Sequence, residues 1–353
     1  MPARRPPSSA SRKRDAFTLV ELLAATAVFI LLLGIILAVT DSVSATIRHA
    51  TAGIEAQSAS RTGFDLLNRN LSQATLNPYW DYDNPLAPTV YLRQSDLQFI
   101  IRQNTQNPAY GQEVYFVAPE AYSKDANLRS TRGLMNACSA FVQFGGSKPF
   151  QPAGISGEKY RYRLMVGQQP TEDLTVFNKP ARTSGQTDAA YRSSVQSYWD
   201  QAKWLDAVSN TTTTNANSPV TPLIDNVIAF IAWPRLSSAE DPDGKQLTPD
   251  GTFSYDSQNS AMTTPQPITA NQLPPVVDVT MVVISEAAAS RLDRGASSPP
   301  QEIEAALAGK FSRVENYQTD LDALSKALSD KGIDFKIFST AVPLRESRWS
   351  RAQ

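Results

Sequence analysis

Arg12-Lys13-Arg14-Asp15-Ala16-Phe17-Thr18-Leu19-Val20-Glu21-Leu22-Leu23 is the stretch from which the rest of the chain is read. A basic leader ends there, and an apolar run from Leu22 to Val39 begins at once. One acid, Glu21, stands at the head of that run. A charge at the middle of a membrane helix costs roughly 2.5–3.5 kcal/mol, so an acid beside such a run reads as functional. Arg4, Arg5, Arg12, Lys13 and Arg14 cluster before the run. Cations there keep the leader in the cytoplasm and send everything after Val39 outward.

This arrangement, from Ala16 to about Val39, resembles the N-terminus of type IV pilins and of the pseudopilins of type II secretion. The resemblance implies a prepilin peptidase that cuts between Ala16 and Phe17 and methylates the new Phe17 amine. It implies that Glu21, fifth in the mature chain, meets the N-terminus of a neighbouring subunit during assembly. One position departs from the family, which usually has Gly before the cut where this chain has Ala16. That departure bears on how efficiently the leader is removed.

Two other readings use the same residues. A basic leader and an apolar run also make a plain membrane anchor or a secretory signal. Val43-Ser44-Ala45 offers a signal-peptidase cut that would leave Thr46 first. Against the signal, the apolar run exceeds the usual core of about 7–15 residues, and a signal has no need of Glu21.

The chain has 353 residues, enough for two average domains or for one domain and a long helix. Its formal net charge is -1, so no surface for nucleic acid is implied. Cys138 is the only cysteine, which rules out an intrachain disulfide and leaves stability to the core. Cys138 reads as a small buried apolar residue. A catalytic thiol would need a base, and the only histidine, His49, lies close to the apolar segment.

Residues 17–76 read as one long helix, on the order of 90 Å at 1.5 Å per residue. It is apolar all round at first. Further on, Ile47, Ile54, Phe64, Leu67 and Leu71 recur at helical spacing and mark one inner stripe. Pro78 bounds the helix. Beyond it, strands are predicted at Thr89–Arg93, Leu97–Ile101, Glu113–Ala118, Ala140–Phe144 and Tyr160–Val166. Tyr160-Arg-Tyr-Arg-Leu164 alternates, which predicts one wet face, and Gly145-Gly146 reads as a turn. A helix is expected over Ser193–Val208, then a polar loop over Ser209–Pro222. The stretch Ser297–Asp330 reads as a surface helix with Ile303, Leu307, Leu321, Leu324 and Leu328 on its inner face.

Later strands carry a second resemblance. Leu223–Trp233, Leu273–Ile284 and the closing Phe338–Arg345 are similar to strands of minor pilins and of the J-type pseudopilins. The large exported domain is also similar to the pilin-like Verru_Chthon cassette protein C group, which implies no residue roles.

No catalytic constellation is visible: with a single histidine in the chain, a Ser-His-Asp triad or a His-rich metal site is nearly excluded. Asp241, Asp243 and Asp250 could supply oxygen ligands to calcium, yet Asp-Pro-Asp-Gly is also ordinary turn chemistry, and a distal Glu is missing. Tyr79-Trp80-Asp81-Tyr82-Asp83 reads as a cap over the join of helix and sheet, or as an aromatic patch for a sugar or a partner.

The expected fold is α+β. A long N-terminal helix, membrane-spanning over about 19–40, packs on an antiparallel β-sheet with large insertions, as in pilins. The expected division is a leader at 1–16, the helix at 17–76 and an exported β-rich domain at 77–353. The resemblance implies a minor structural subunit of a pilus or pseudopilus, and the large domain, which would crowd a helical shaft, favours a tip or initiating place. Its partners would be a prepilin peptidase, other pilin-like subunits and the bacterial inner membrane, with the globular domain in the periplasm. No cofactor and no nucleic acid are expected. The alternative is a membrane-tethered binding protein or enzyme that uses the helix only as an anchor.

Overall fold

Apolar runs with β-branched residues become strands, and Leu- and Ala-rich runs become helices, in an α+β arrangement. The computed structural model describes residues 19–83, 87–128, 130–152, 154, 156–209 and 219–350, with backbone only at 42 and 45–56. The chain divides into two units, Met1–Glu55 and Ala56–Gln353. A continuous helix, α1 (Leu19–Leu71), contributes to both. In the first unit it carries an apolar stretch, Leu19–Asp41, none of it buried.

In the second unit α1 turns one stripe inward. Phe64, Leu67 and Leu71 are buried, as their spacing predicts, while the side chains of Ile47 and Ile54 lie outside the described residues. The helix stops at Leu71, well before Pro78. Tertiary hydrogen bonds replace helical ones there: Thr75 N–H donates to the Val117 carbonyl at 2.8 Å, and Arg345 N–H to the Ser72 carbonyl at 3.0 Å.

The elements that follow are β1 (Tyr79–Tyr82), β2 (Tyr91–Gln94), β3 (Ile100–Gln103), β4 (Gln112–Ala118), β5 (Asn136–Gly146) and β6 (Tyr160–Gln169). Two helices come next, α2 (Asp188–Gln201) and α3 (Asp206–Ser209), then β7 (Val220–Asp225), β8 (Val227–Arg235), β9 (Tyr255–Asp256) and β10 (Val276–Ile284). The chain closes with α4 (Glu286–Leu292), α5 (Gln301–Leu307), α6 (Tyr317–Asp330) and β11 (Phe335–Pro343).

The strands form a six-stranded sheet in the order β7-β6-β5-β4-β3-β9, a three-stranded sheet β11-β10-β8, and the ribbon β1-β2. Every ladder is antiparallel. Strand β8 is buried on both sides and packs against β4, β5 and β6, so the two larger sheets share one core. The second-unit part of α1 meets both: Phe64 lies 5.9 Å from Phe338 of β11, and a Cβ at Gly63 would press into Ile224 of β7.

Several sequence expectations are corrected by this arrangement. The run Leu223–Trp233 is not one strand. Asn226, at φ 64°, breaks it, so that β7 joins one sheet and β8 the other. Asn tolerates the left-handed region better than most residues. Gly145-Gly146 is no turn; both glycines extend β5 and pair with Arg161 and Tyr160. The surface helix over Ser297–Asp330 is two helices, α5 and α6, with Ile303, Leu307, Leu321, Leu324 and Leu328 all buried as expected. The helix expected over Ser193–Val208 begins and ends earlier, at Asp188–Gln201. Most of the polar loop expected after it, 210–218, lies outside the described residues, and its last residues open β7.

Strand β6 has no wet face. Arg161 and Arg163 are 7% and 6% exposed. Arg161 pairs with Asp293 and lies 3.5 Å from Glu286, at the two ends of α4. Arg163 Nε donates to Asp225 at 2.9 Å, and its Nη1 donates to the Gly145 carbonyl at 2.8 Å. Buried charge is tolerated where such partners exist.

Candidate functional site

The apolar part of α1 follows directly from its composition. Leu19–Asp41 has 23 residues, about 34 Å at 1.5 Å per residue. A hydrocarbon core is about 30 Å thick, so the helix is long and apolar enough to cross a membrane. Its large side chains point outward; Leu19, Phe29 and Ile30 are among the most exposed. Two hydroxyls within it bond to the helix's own backbone: Thr26 Oγ1 donates to the Leu23 carbonyl at 2.9 Å, and Thr40 Oγ1 to the Ile36 carbonyl at 2.8 Å. Polar groups satisfied within the helix suit an apolar solvent.

Glu21 lies in the first turn of α1. The positive end of the helix dipole favours a carboxylate in that turn. Ala16 and Phe17 lie outside the described residues. Within Leu19–Val39, Glu21 is the only charged residue.

The acidic loop folds as turns. Asp241 is buried, and its carboxylate accepts from Gln246 N–H at 2.8 Å. Asp250 accepts from the N–H and hydroxyl of Thr252 at 3.0 and 2.8 Å. Asp243 is exposed. Among the described residues, no group of three or more His, Cys, Asp or Glu is gathered in a way that could hold a metal ion. Cys138 is buried, and burial pushes its thiol well above the ordinary range, which disfavours a thiolate.

Tyr79–Tyr82 does not cap the join of helix and sheet. It is strand β1 of the ribbon, and Trp80 is 54% exposed. Strand β2 pairs Trp80 with Arg93 and Tyr82 with Tyr91, which places all four on one face. The Tyr82 and Tyr91 rings are 4.9 Å apart, and the Arg93 guanidinium lies 5.2 Å from the Trp80 ring centroid. Beside β2 runs the segment 264–268, which lines a groove together with Trp80, Tyr91 and Arg93. Its Gln266 side chain accepts from Arg93 N–H at 3.0 Å and donates to the Arg93 carbonyl at 2.7 Å. Sequence reasoning found Trp80 but not Gln266, which lies 173 residues beyond its partner Arg93.

Sequence reasoning also missed a half-buried cluster around one carboxylate. Glu304 of α5 accepts from Tyr110 Oη at 2.9 Å, Tyr162 Oη at 2.8 Å and Asn107 Nδ2 at 2.7 Å. Burial first, and Glu304 second, push the Tyr110 phenol up. Burial likewise leads for Tyr162. Both phenols therefore stay protonated donors, and the cluster pins α5 to the sheet.

Compared with protein-family models, curated proteins and solved structures, the chain matches none.

Proposed function

We propose that this chain is a minor pilin-like structural subunit, inserted in the bacterial inner membrane and assembled into a type IV pilus or a type II secretion pseudopilus. The observation that carries the reading is the sequence Phe17-Thr18-Leu19-Val20-Glu21 running into an apolar helical segment, Leu19–Asp41, none of which is buried. A single carboxylate in that first turn is costly in lipid unless an opposite charge meets it. A new amine at Phe17, from this subunit or a neighbour, is such a charge. The α+β unit that follows, with α1 laid against strands through Phe64 and Gly63, agrees with the pilin plan. On this reading the partners are a prepilin peptidase and other pilin-like subunits, the large domain sits in the periplasm, and the role is structural rather than catalytic.

Mass spectrometry of the N-terminus of protein recovered from membranes tests the proposal. The expected first residue is Phe17, carrying one added methyl group. An intact leader would move the weight to a tethered protein, and a first residue of Thr46 to a secreted one. Ala16→Gly should speed the cut if Ala16 slows it.

A further inference from the structure

Large aromatic side chains are expensive to leave in water, and a cluster of them on a rigid platform marks a place where something docks. The outer face of the β1–β2 ribbon is such a cluster. Trp80 is 54% and Tyr91 62% exposed, and the Tyr82 ring lies against Tyr91. The platform is held firmly. Gln266 bonds both backbone groups of Arg93, and Asn271 Nδ2 donates to the same carbonyl at 2.6 Å. Between the ribbon and segment 264–268 runs a groove of about 710 Å³, within the usual range for ligand sites of about 300–1,000 Å³.

We propose that this groove binds a neutral saccharide stacked on Trp80 and Tyr91. A pyranose ring presents an apolar C–H face and a rim of hydroxyls. Its apolar face suits a flat indole or phenol, and its hydroxyls need donors and acceptors together. The groove offers both kinds: apolar surface from Trp80, Tyr91 and Pro265, and the hydroxyl-bearing Thr264 and Ser350 beside them. Among the described residues, no carboxylate and no lysine line it, and the cationic side chain that does, Arg93, is buried beneath Trp80. That charge pattern selects against anionic lipid and polyanions. A proline-rich peptide is the rival for any aromatic groove. Decaproline is therefore included in the test, as the probe that separates a peptide from a saccharide. The proposal holds whether or not the chain enters a filament.

The test uses the full-length protein in a detergent without a sugar head group. Cellotetraose, chitotetraose, maltotetraose and decaproline are each titrated by calorimetry. At least one saccharide is expected to bind with a dissociation constant below about 1 mM. Trp80→Ala and Tyr91→Ala should each weaken that binding about tenfold or more, and Trp80→Phe should keep most of it. Phe177→Ala, at an exposed ring outside the groove, should change nothing. Both alanine variants remove exposed side chains, and an unchanged melting temperature confirms that they fold. Failure of all three saccharides to bind, or binding indifferent to Trp80 and Tyr91, overturns the proposal. So does decaproline binding that needs Trp80 with no saccharide bound, which would assign the groove to a peptide.

Discussion

At Gly111 the backbone turns with φ +95°, a region closed to most side chains. The residue forms an isolated parallel bridge with Phe230, where the six-stranded sheet meets β8. A Cβ there would fall well inside contact distance of the Phe230 carbonyl. Gly111→Ala therefore combines backbone strain with a forced separation of two sheets, and should cost about 3 kcal/mol or more in urea unfolding. Gly133→Ala is the control: its φ is +76°, yet nothing lies within 4 Å, so only about 1 kcal/mol is expected. Asp256 makes a second prediction. Burial raises its carboxyl from 3.8 to about 6, against hydrogen bonds from Gln98 and Gln258 N–H that lower it, with Asp200 adding repulsion. A raised carboxyl means that the folded chain binds more protons than the unfolded chain between about pH 4 and 6. The carboxyl's contribution to stability therefore grows as pH falls through 6 and levels off below 4. Asp256→Asn removes that slope. The variant should be more stable than the parent at pH 8, on the order of 1 kcal/mol, and the gap should close by pH 4. Melting curves across that range decide it, and a gap that does not change with pH would contradict the assignment.

Among the elements, α6 shows how a local pattern becomes a packed face. Leu321, Leu324 and Leu328 are buried, while Lys326 and Asp330 stay in solvent at i, i+4 spacing. At its start, the Tyr317 ring lies 4.5 Å from Trp233, and Tyr317 Oη lies 2.8 Å from Thr280 Oγ1 on β10. Leu324→Ala should cost about 2–5 kcal/mol, because Leu324 is 1% exposed within the core and its truncation leaves a cavity there. Lys326→Ala should stay within about 0.5 kcal/mol, since its ion pair is exposed. Strand β7 follows a different rule. It carries Pro222 and lies at the edge of its sheet, where a missing N–H is tolerated.

For the whole molecule, the decisive prediction concerns Glu21. If the carboxylate only begins a membrane helix, Glu21→Gln should leave every property intact and even ease insertion. The proposed role predicts a split outcome, with normal insertion and folding and lost incorporation into a filament. A carboxylate in low dielectric needs an opposite charge, and without it nothing sets the axial register of an incoming subunit. Crosslinking of the variant to other pilin-like subunits in membranes reads this directly. Unchanged crosslinks and filament yield would leave the helix as an anchor alone.

The sequence by itself determined the features that rest on local period. The apolar span, the inner stripe at Phe64, Leu67 and Leu71, the buried face of α5 and α6, and most strands were legible, because neighbours a few residues apart decide them. The tertiary structure alone decided the rest. Arg161 and Arg163 read as a wet face until α4 and Asp225 supplied carboxylates from 62 to 132 residues away. Tyr79–Tyr82 read as a cap until β2 and segment 264–268 made it one wall of a groove. In each case burial depends on which distant segment covers a face, and no spacing along the chain records that.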